Sequence, residues 1–323
     1  MKEVKIISTG SYVPENIIDN NFLSNIVETS DEWITSRTGI KQRRISKDEN
    51  TSDIAYKAAL KAIEKANIDV LDIENIIVAT ITPDSFSPSV SCIVQEKLGA
   101  KNASCFDVNA ACTGLIYGIS IAWALIKSGL YKNSLVIGAE VLSKIIDWKD
   151  RNTCVLFGDG ASAVFLSASE QKGIISTFIM SDGQKGNAIK IPALPVENII
   201  TGFVEKPQCK ISMDGREVYR FATDVMAKSI EKVLENSGLN IEDISLIIPH
   251  QANIRIIEYA ADKLKVSKDK FYINIDKYGN TSAASIGIAL DEAFDEGRIK
   301  SGDNIILVGF GGGLTWGATL IKV

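Results

Sequence analysis

Three residues in this chain combine a nucleophile with hydrogen-bonding groups: Cys112, His250 and Asn280. A Cys–His–Asn set can activate a thiol and aim two hydrogen bonds at a developing oxyanion. His250 is the single histidine, so any imidazole chemistry must use it. Cys112 lies in DVNAACTGLIYGISIAWAL, residues 107 to 125, where a short strand gives way to a helix. Unsatisfied N–H groups and the positive end of the helix dipole at a first turn favour a thiolate, so the expectation is a thiol already reactive at neutral pH. Taken singly, a buried cysteine is usually an inert small hydrophobe and an asparagine before a helix is usually a turn residue. Their placement relative to one another decides the matter.

The elements that must position them are partly visible. The helix behind Cys112 is apolar on every face until Lys127, which makes it a buried helix rather than an amphipathic one. Gly114, Gly118 and Ala122 form a small-residue stripe on it, and Ala283 and Gly287 form another on the helix behind Asn280. The expectation is that these two helices cross closely, with their N-terminal ends together. His250 follows the apolar run Ile244 to Ile248, at the C-terminal end of a strand, where α/β proteins place their sites. Gly309 to Gly317, GFGGGLTWG, reads as a tight turn between the last two strands, with a backbone free to approach a ligand.

The chain also replays itself. AIEKANIDVLDIENIIVAT (62 to 80) resembles SIEKVLENSGLNIEDISLIIPH (229 to 250), EKLGAKNASCFDVNAAC (96 to 112) resembles DKLKVSKDKFYINIDKYGN (262 to 280), and KSGLYKNSLVIGAE (127 to 140) resembles IKSGDNIILVGFG (299 to 311). The nearly constant offset, roughly 170 residues, is the mark of an internal duplication. It predicts two α/β halves, 1–172 carrying the nucleophile and 173–323 carrying His250 and Asn280, and it pairs Asn280 with Cys112. Residues 183 to 209 match nothing in the first half and read as an insertion or loop.

The composition narrows the function. With 323 residues, 46% apolar and 23% charged, the chain reads as a soluble globular protein, and its net charge of −5 argues against nucleic-acid binding. MKEVKIIS lacks a signal-peptide core, and the longest apolar run, near 114 to 126, is too short to span a bilayer, so a cytoplasmic location is expected. Five cysteines without C-x-x-C spacing suggest neither a disulfide frame nor a metal site. No dinucleotide-type glycine motif or P-loop follows a strand.

Five motifs in order, DVNAAC (107–112), FGDGASAV (157–164), PHQAN (249–253), GNTSAASI (279–286) and GFGGGLTWG (309–317), resemble those of β-ketoacyl-acyl-carrier-protein synthase III. TSDEWITSRTGI (29–40) and DWKDRNT (147–153) extend the resemblance over essentially the whole chain. It implies a thiolase-like fold with αβαβα layers, usually a homodimer. It also implies an initiating condensation in fatty acid synthesis between an acyl-CoA and malonyl-acyl carrier protein, with coenzyme A entering as a substrate thioester and no cofactor or metal. Carried over by position, Cys112, His250 and Asn280 are the catalytic residues, and the N–H groups of Cys112 and Gly312 form an oxyanion hole. Thr29, Trp33, Arg37, Arg151 and Asn253 contact coenzyme A, while Arg216, Arg220, Gln251, Arg255 and Lys263 receive the carrier protein. Leu142 and Phe157 match the wall of the acyl pocket.

One departure stands out. In SFSPS, residues 85 to 89, the family often has a Phe reaching into the neighbouring subunit's acyl pocket; here that position is Ser87, with Phe86 one place earlier. The shift allows a primer larger than acetyl. The rival readings are a related acyltransferase of secondary metabolism, disfavoured by retention of both His250 and Asn280, a condensing enzyme of secondary metabolism, a non-catalytic partner subunit, disfavoured by Cys112, and a Cys-His-Asn hydrolase, disfavoured because no water-activating arrangement is evident.

Overall fold

Strands that read as unbroken apolar runs are those buried on both faces. In Asn75–Ala79, Ile76 and Val78 pack into one core while Ile77 faces another. Leu135 and Ile137 likewise oppose Val136 in Asn133–Glu140, and Ile306 and Val308 oppose Ile305 and Leu307 in Asn304–Gly311. A period of two with apolar residues on both faces requires a covering layer on each side of the sheet. The computed structural model, which describes residues 2–323 apart from 203, 204, 206 and 207, supplies those layers. The four excluded positions fall within the expected insertion at 183 to 209 and lie outside the described residues.

The first sheet has the spatial order Glu3–Tyr12, Gly160–Ser169, Asn133–Glu140, Asn75–Ala79, Ser104–Val108. Its last three strands are parallel to one another and the first two run antiparallel to their neighbours. The second sheet repeats that arrangement as Ile174–Ser181, Thr315–Lys322, Asn304–Gly311, Leu246–Pro249. The place of a fifth strand is held by a single parallel bridge from Ile247 to Phe271.

Helices Thr51–Ala66 and Val90–Leu98 cover the outside of the first sheet, and Gly215–Ser237 and Ile254–Leu264 the outside of the second. Gly114–Lys127 and Ser285–Asp295 fill the space between the sheets, where Leu115, Ile116, Ile119, Ile286 and Leu290 meet Ile77, Val136, Ile305 and Leu307. These are the expected αβαβα layers of the thiolase fold. Asn50 caps the helix at 51 to 66, with Asp53 returning the bond. Among the described residues no helix is long and apolar enough to cross a membrane.

The coordinates fix the internal register at 171. Strand Asn133–Glu140 superposes in order on Asn304–Gly311, the turn Ala111–Thr113 on Ser282–Ala284, and the helix starting at Gly114 on that starting at Ser285. The two turns share a left-handed residue at the same place, Ala111 (φ 46°) and Ser282 (φ 49°). This corrects the pairing inferred from the letters: Cys112 corresponds to Ala283, and Asn280 to Asn109. Motif similarity had slipped by three residues because both segments end in a polar turn before an apolar helix.

The small-residue stripes also do something other than expected. A Cβ on Gly118 would lie 2.7 Å from Val136 Cγ1, and one on Gly287 would strike the Ser162 side chain, so the glycines seat each helix on a sheet. The two helices do meet at their N-terminal ends, as expected, where Gly114 faces the Ala283 Cβ and Gly287 faces the Leu115 side chain.

Candidate active site

Cys112 sits in the short 3-10 turn Ala111–Thr113 and is 9% exposed. Burial pushes its thiol up to about 12; the Ser282 hydroxyl against it draws it down and the Glu140 carboxylate pushes it up. Burial thus acts against the thiolate that the helix start favours, and reaction requires somewhere for the thiol proton to go.

His250 leaves the end of strand Leu246–Pro249, its N–H donating to the Val308 carbonyl at 2.8 Å. Burial pulls the imidazole down to about 3, so it is neutral at neutral pH. Its Nδ1 lies 2.6 Å from Ser285 Oγ, and Ser285 Oγ accepts from the Gln251 N–H at 3.4 Å. A serine hydroxyl carries one proton and two lone pairs, so it meets Nδ1 as donor or acceptor according to the imidazole tautomer, and it donates to Nδ1 when the ring proton is on Nε2. The Phe310 ring stands edge-on to the imidazole at 5.2 Å. Asn280 is fixed by its backbone on both sides of Phe157, donating to Leu156 and accepting from Gly158. Its Oδ1 accepts the Ser282 N–H at 2.8 Å, which leaves the Nδ2 protons to the cavity.

A cavity of about 840 Å³ collects these groups: Cys112, His250, Asn280 and Gly312 line it together with Leu142, Phe157 and Ile81. Thr315 ties two of its walls together, its hydroxyl bonding the carbonyls of Ala110 and Gly312. A Cβ on Gly311 would come within 2.7 Å of the Cys112 nitrogen, so glycine is needed where the last hairpin meets the cysteine turn.

At the mouth, Trp33 lies between two guanidinium groups, Arg37 at 5.2 Å and Arg151 at 4.9 Å from its ring centroid. Asn253 caps the helix Ile254–Leu264 and donates to the Arg37 carbonyl, joining the two segments. Trp33, Arg37 and Asn253 line the cavity; Thr29 does not, although its buried hydroxyl has no partner. Arg216 lines the mouth, with Arg220 a turn further along the same helix and Arg255 and Lys263 exposed on the next. Lys263 faces Asp224 at 3.8 Å.

Gln251 is a correction. It is 1% exposed and its amide is spent on the Pro249 and Tyr272 carbonyls and the Asn274 N–H, so it braces the site and offers no surface to a protein. Phe86 and Ser87 do not line this chain's cavity; Phe86 is 82% exposed. The residues that motif reading missed are Glu140, Ser282, Ser285 and Thr315. Glu140 had a visible signal, a carboxylate at the end of an otherwise apolar strand.

Paired sheets enclosing two buried helices, with Cys112, His250 and Asn280 at the ends between them, define a condensing enzyme of the thiolase fold, an acyltransferase. Family models described as 3-oxoacyl-[acyl-carrier-protein] synthase III match residues 106–183 and, for its C-terminal part, 234–323. A β-ketoacyl-[acyl-carrier-protein] synthase III of Clostridium acetobutylicum is 59% identical, covering 100% of this chain and 99% of that one; its counterpart in Clostridium novyi is 58% identical with the same coverage. The crystal structure of the 3-oxoacyl-[acyl-carrier-protein] synthase III of Aquifex aeolicus matches with a TM-score of 0.93 at 48% identity, covering 99% of this chain and 100% of that one. The chain belongs to the β-ketoacyl-[acyl-carrier-protein] synthase III family, whose chemistry is a condensation in fatty acid synthesis.

Proposed function

We propose that this enzyme condenses an acyl-CoA with malonyl-acyl carrier protein in two half-reactions through an acyl group on Cys112. Cys112 loses its proton and attacks the acyl-CoA carbonyl, and coenzyme A departs. The malonyl thioester then takes its place. Its carbonyl oxygen receives hydrogen bonds from His250 Nε2–H and Asn280 Nδ2–H, which stabilise the enolate left as carbon dioxide is released. That carbanion attacks the acyl-Cys112 carbonyl, whose oxyanion is held by the N–H groups of Cys112 and Gly312, and 3-oxoacyl-carrier protein forms as the thiolate leaves. One such donor is worth about 3–4 kcal/mol of barrier.

The observation that carries this reading is the convergence of a thiol and two fixed donors on one cavity. Trp33 between Arg37 and Arg151 suits an adenine that slides against the indole face. Thr29 and Asn253 lie beside that mouth. Arg216, Arg220, Arg255 and Lys263 suit an acidic carrier, with Gln251 removed from the set. Coenzyme A enters and leaves as substrate. The nucleophile belongs to the 1–172 half and the donor pair to the 173–323 half. The exposed Phe86 fits a cytoplasmic homodimer in which each chain completes its neighbour's acyl pocket.

The test is mass-shifted acyl-CoA. Cys112 should acquire the acyl group, and labelling that persists in Cys112→Ala overturns the assignment. His250→Ala should still be acylated while losing malonyl-carrier-protein decarboxylation. Comparing kcat/KM for acetyl, branched and longer donors decides the primer.

A further inference from the structure

In the reaction proposed above both groups beside the thiol serve as donors, His250 through Nε2–H and Asn280 through its amide, so neither takes the proton that Cys112 must lose. One acceptor nearby is unused by the reaction described above. Glu140 is fully buried at the end of strand Asn133–Glu140, and every partner it has is a donor: Thr82 Oγ1 at 2.6 Å, Thr80 Oγ1 and the Ile81 N–H at 3.2 Å, and Ser282 Oγ at 3.1 Å. Four donors and no acceptor describe the cradle of a carboxylate. Ser282 lies between this carboxylate and the thiol. Its hydroxyl donates to this carboxylate, its N–H holds Asn280, and it lines the cavity beside Cys112, whose thiol it draws down.

The duplication explains how a carboxylate comes to be there. At the internal register of 171, Glu140 is the counterpart of Gly311. Gly311 ends its strand against the Cys112 turn of the other half, and Glu140 ends its strand against the Ser282 turn of the other half. The same crossing that brings a glycine to the nucleophile brings a carboxylate to the serine facing it.

We infer that Glu140 accepts the proton of Cys112 through the Ser282 hydroxyl during acyl transfer. As the Cys112 sulfur forms its bond to the acyl carbon, the thiol proton passes to Ser282 Oγ and the Ser282 proton passes to a Glu140 oxygen. The C–S bond to coenzyme A breaks with its electron pair on the departing sulfur, which takes the proton from Glu140 through the Ser282 hydroxyl. Glu140 ends as it began. The charged or titratable groups around it are Cys112 on the facing turn and Lys144 on the turn that follows its own strand. Burial raises the carboxyl to about 7, so it changes state within the working range of pH.

The inference rests on the proposed acylation of Cys112, and the experiment separates the two. Acetyl-CoA is mixed with the intact enzyme at pH 5.5 to 8.5 and acylation is followed by quenched-flow mass spectrometry. The wild-type rate should rise with pH and level off above about 7. Glu140→Gln and Ser282→Ala should be slower by about a hundredfold at pH 8 and lose that rise, whereas Ser282→Thr, which keeps the hydroxyl, should retain it. Alkylation by iodoacetamide, which reads the thiolate population alone, should be unchanged or faster in Glu140→Gln, because a repelling charge has gone. Slow alkylation together with slow acylation marks a disturbed site and overturns the inference, as does Glu140→Gln acylating as fast as wild type. If Glu140→Gln does not fold, judged by its melting transition, the two Ser282 variants decide. A wild-type enzyme that acetyl-CoA never labels at Cys112 fails the proposed function instead.

Discussion

The His250 Nδ1 stands 2.6 Å from Ser285 Oγ at the buried end of the site. In the proposed reaction the Ser285 hydroxyl donates to Nδ1 and the ring proton on Nε2 is left for the malonyl oxygen. Ser285→Ala should lower malonyl-carrier-protein decarboxylation by about tenfold, the equivalent of one hydrogen bond. Acylation of Cys112 should be unchanged, and a parallel loss in both half-reactions would contradict the tautomer argument.

His250 is the only histidine, so its imidazole can be followed by NMR without assignment. With burial holding it near 3, the ring should stay neutral from pH 8 to about 4. The sign for stability follows from a depressed value: the native state binds its proton later than the unfolded chain does. The contribution is present above about 6.5 and is lost as pH falls toward 3. Urea midpoints should therefore drop between pH 7 and pH 5, and His250→Gln should flatten that drop.

Gly138 packs against the second half's turn. A Cβ there would lie 2.3 Å from the Ala283 carbonyl oxygen, a backbone atom that cannot step aside. Gly138→Ala should cost about 1–3 kcal/mol in urea unfolding, whereas Gly183→Ala, with no atom within 4 Å, should stay within about 0.5 kcal/mol of wild type.

Trp33 should act on binding rather than on chemistry. Trp33→Ala is expected to raise KM for acyl-CoA by about tenfold, since each guanidinium contact contributes about 0.5–1 kcal/mol, and to leave the condensation rate from preformed acyl-enzyme unchanged. A fall in that rate with no change in KM would remove Trp33 from the coenzyme site.

Much of this was legible before any coordinates. The apolar strands, the buried helix after Cys112, the αβαβα layers and the family could all be reached from motifs, because those features depend on local pattern. What was missed depends on the two halves closing on each other. The favourable helix start of the thiol is local and readable, whereas the burial that opposes it comes with the closing of the fold. Gln251 looked available because its neighbours in the chain are polar, yet its amide is consumed by Tyr272 and Asn274 some twenty residues away. Ser282 and Glu140 are 142 residues apart and acquire a relationship only in space.

The register of 171 leaves a record of descent in the molecule. At the ends of the matched elements the pairs are Ala79 and His250, Asn109 and Asn280, Cys112 and Ala283, Glu140 and Gly311. Cys112, His250 and Glu140 each have a partner of a type that cannot do their work, while Asn280 has kept its own kind in Asn109. An ancestral symmetric pair would have offered two equal sites, and this chain has kept half of each. Copying the second half over the first would erase the nucleophile, and copying the first over the second would erase His250 and place a side chain where Gly311 leaves room for Cys112. The two repeats have therefore ceased to be spare copies of each other, and are inherited as one indivisible unit.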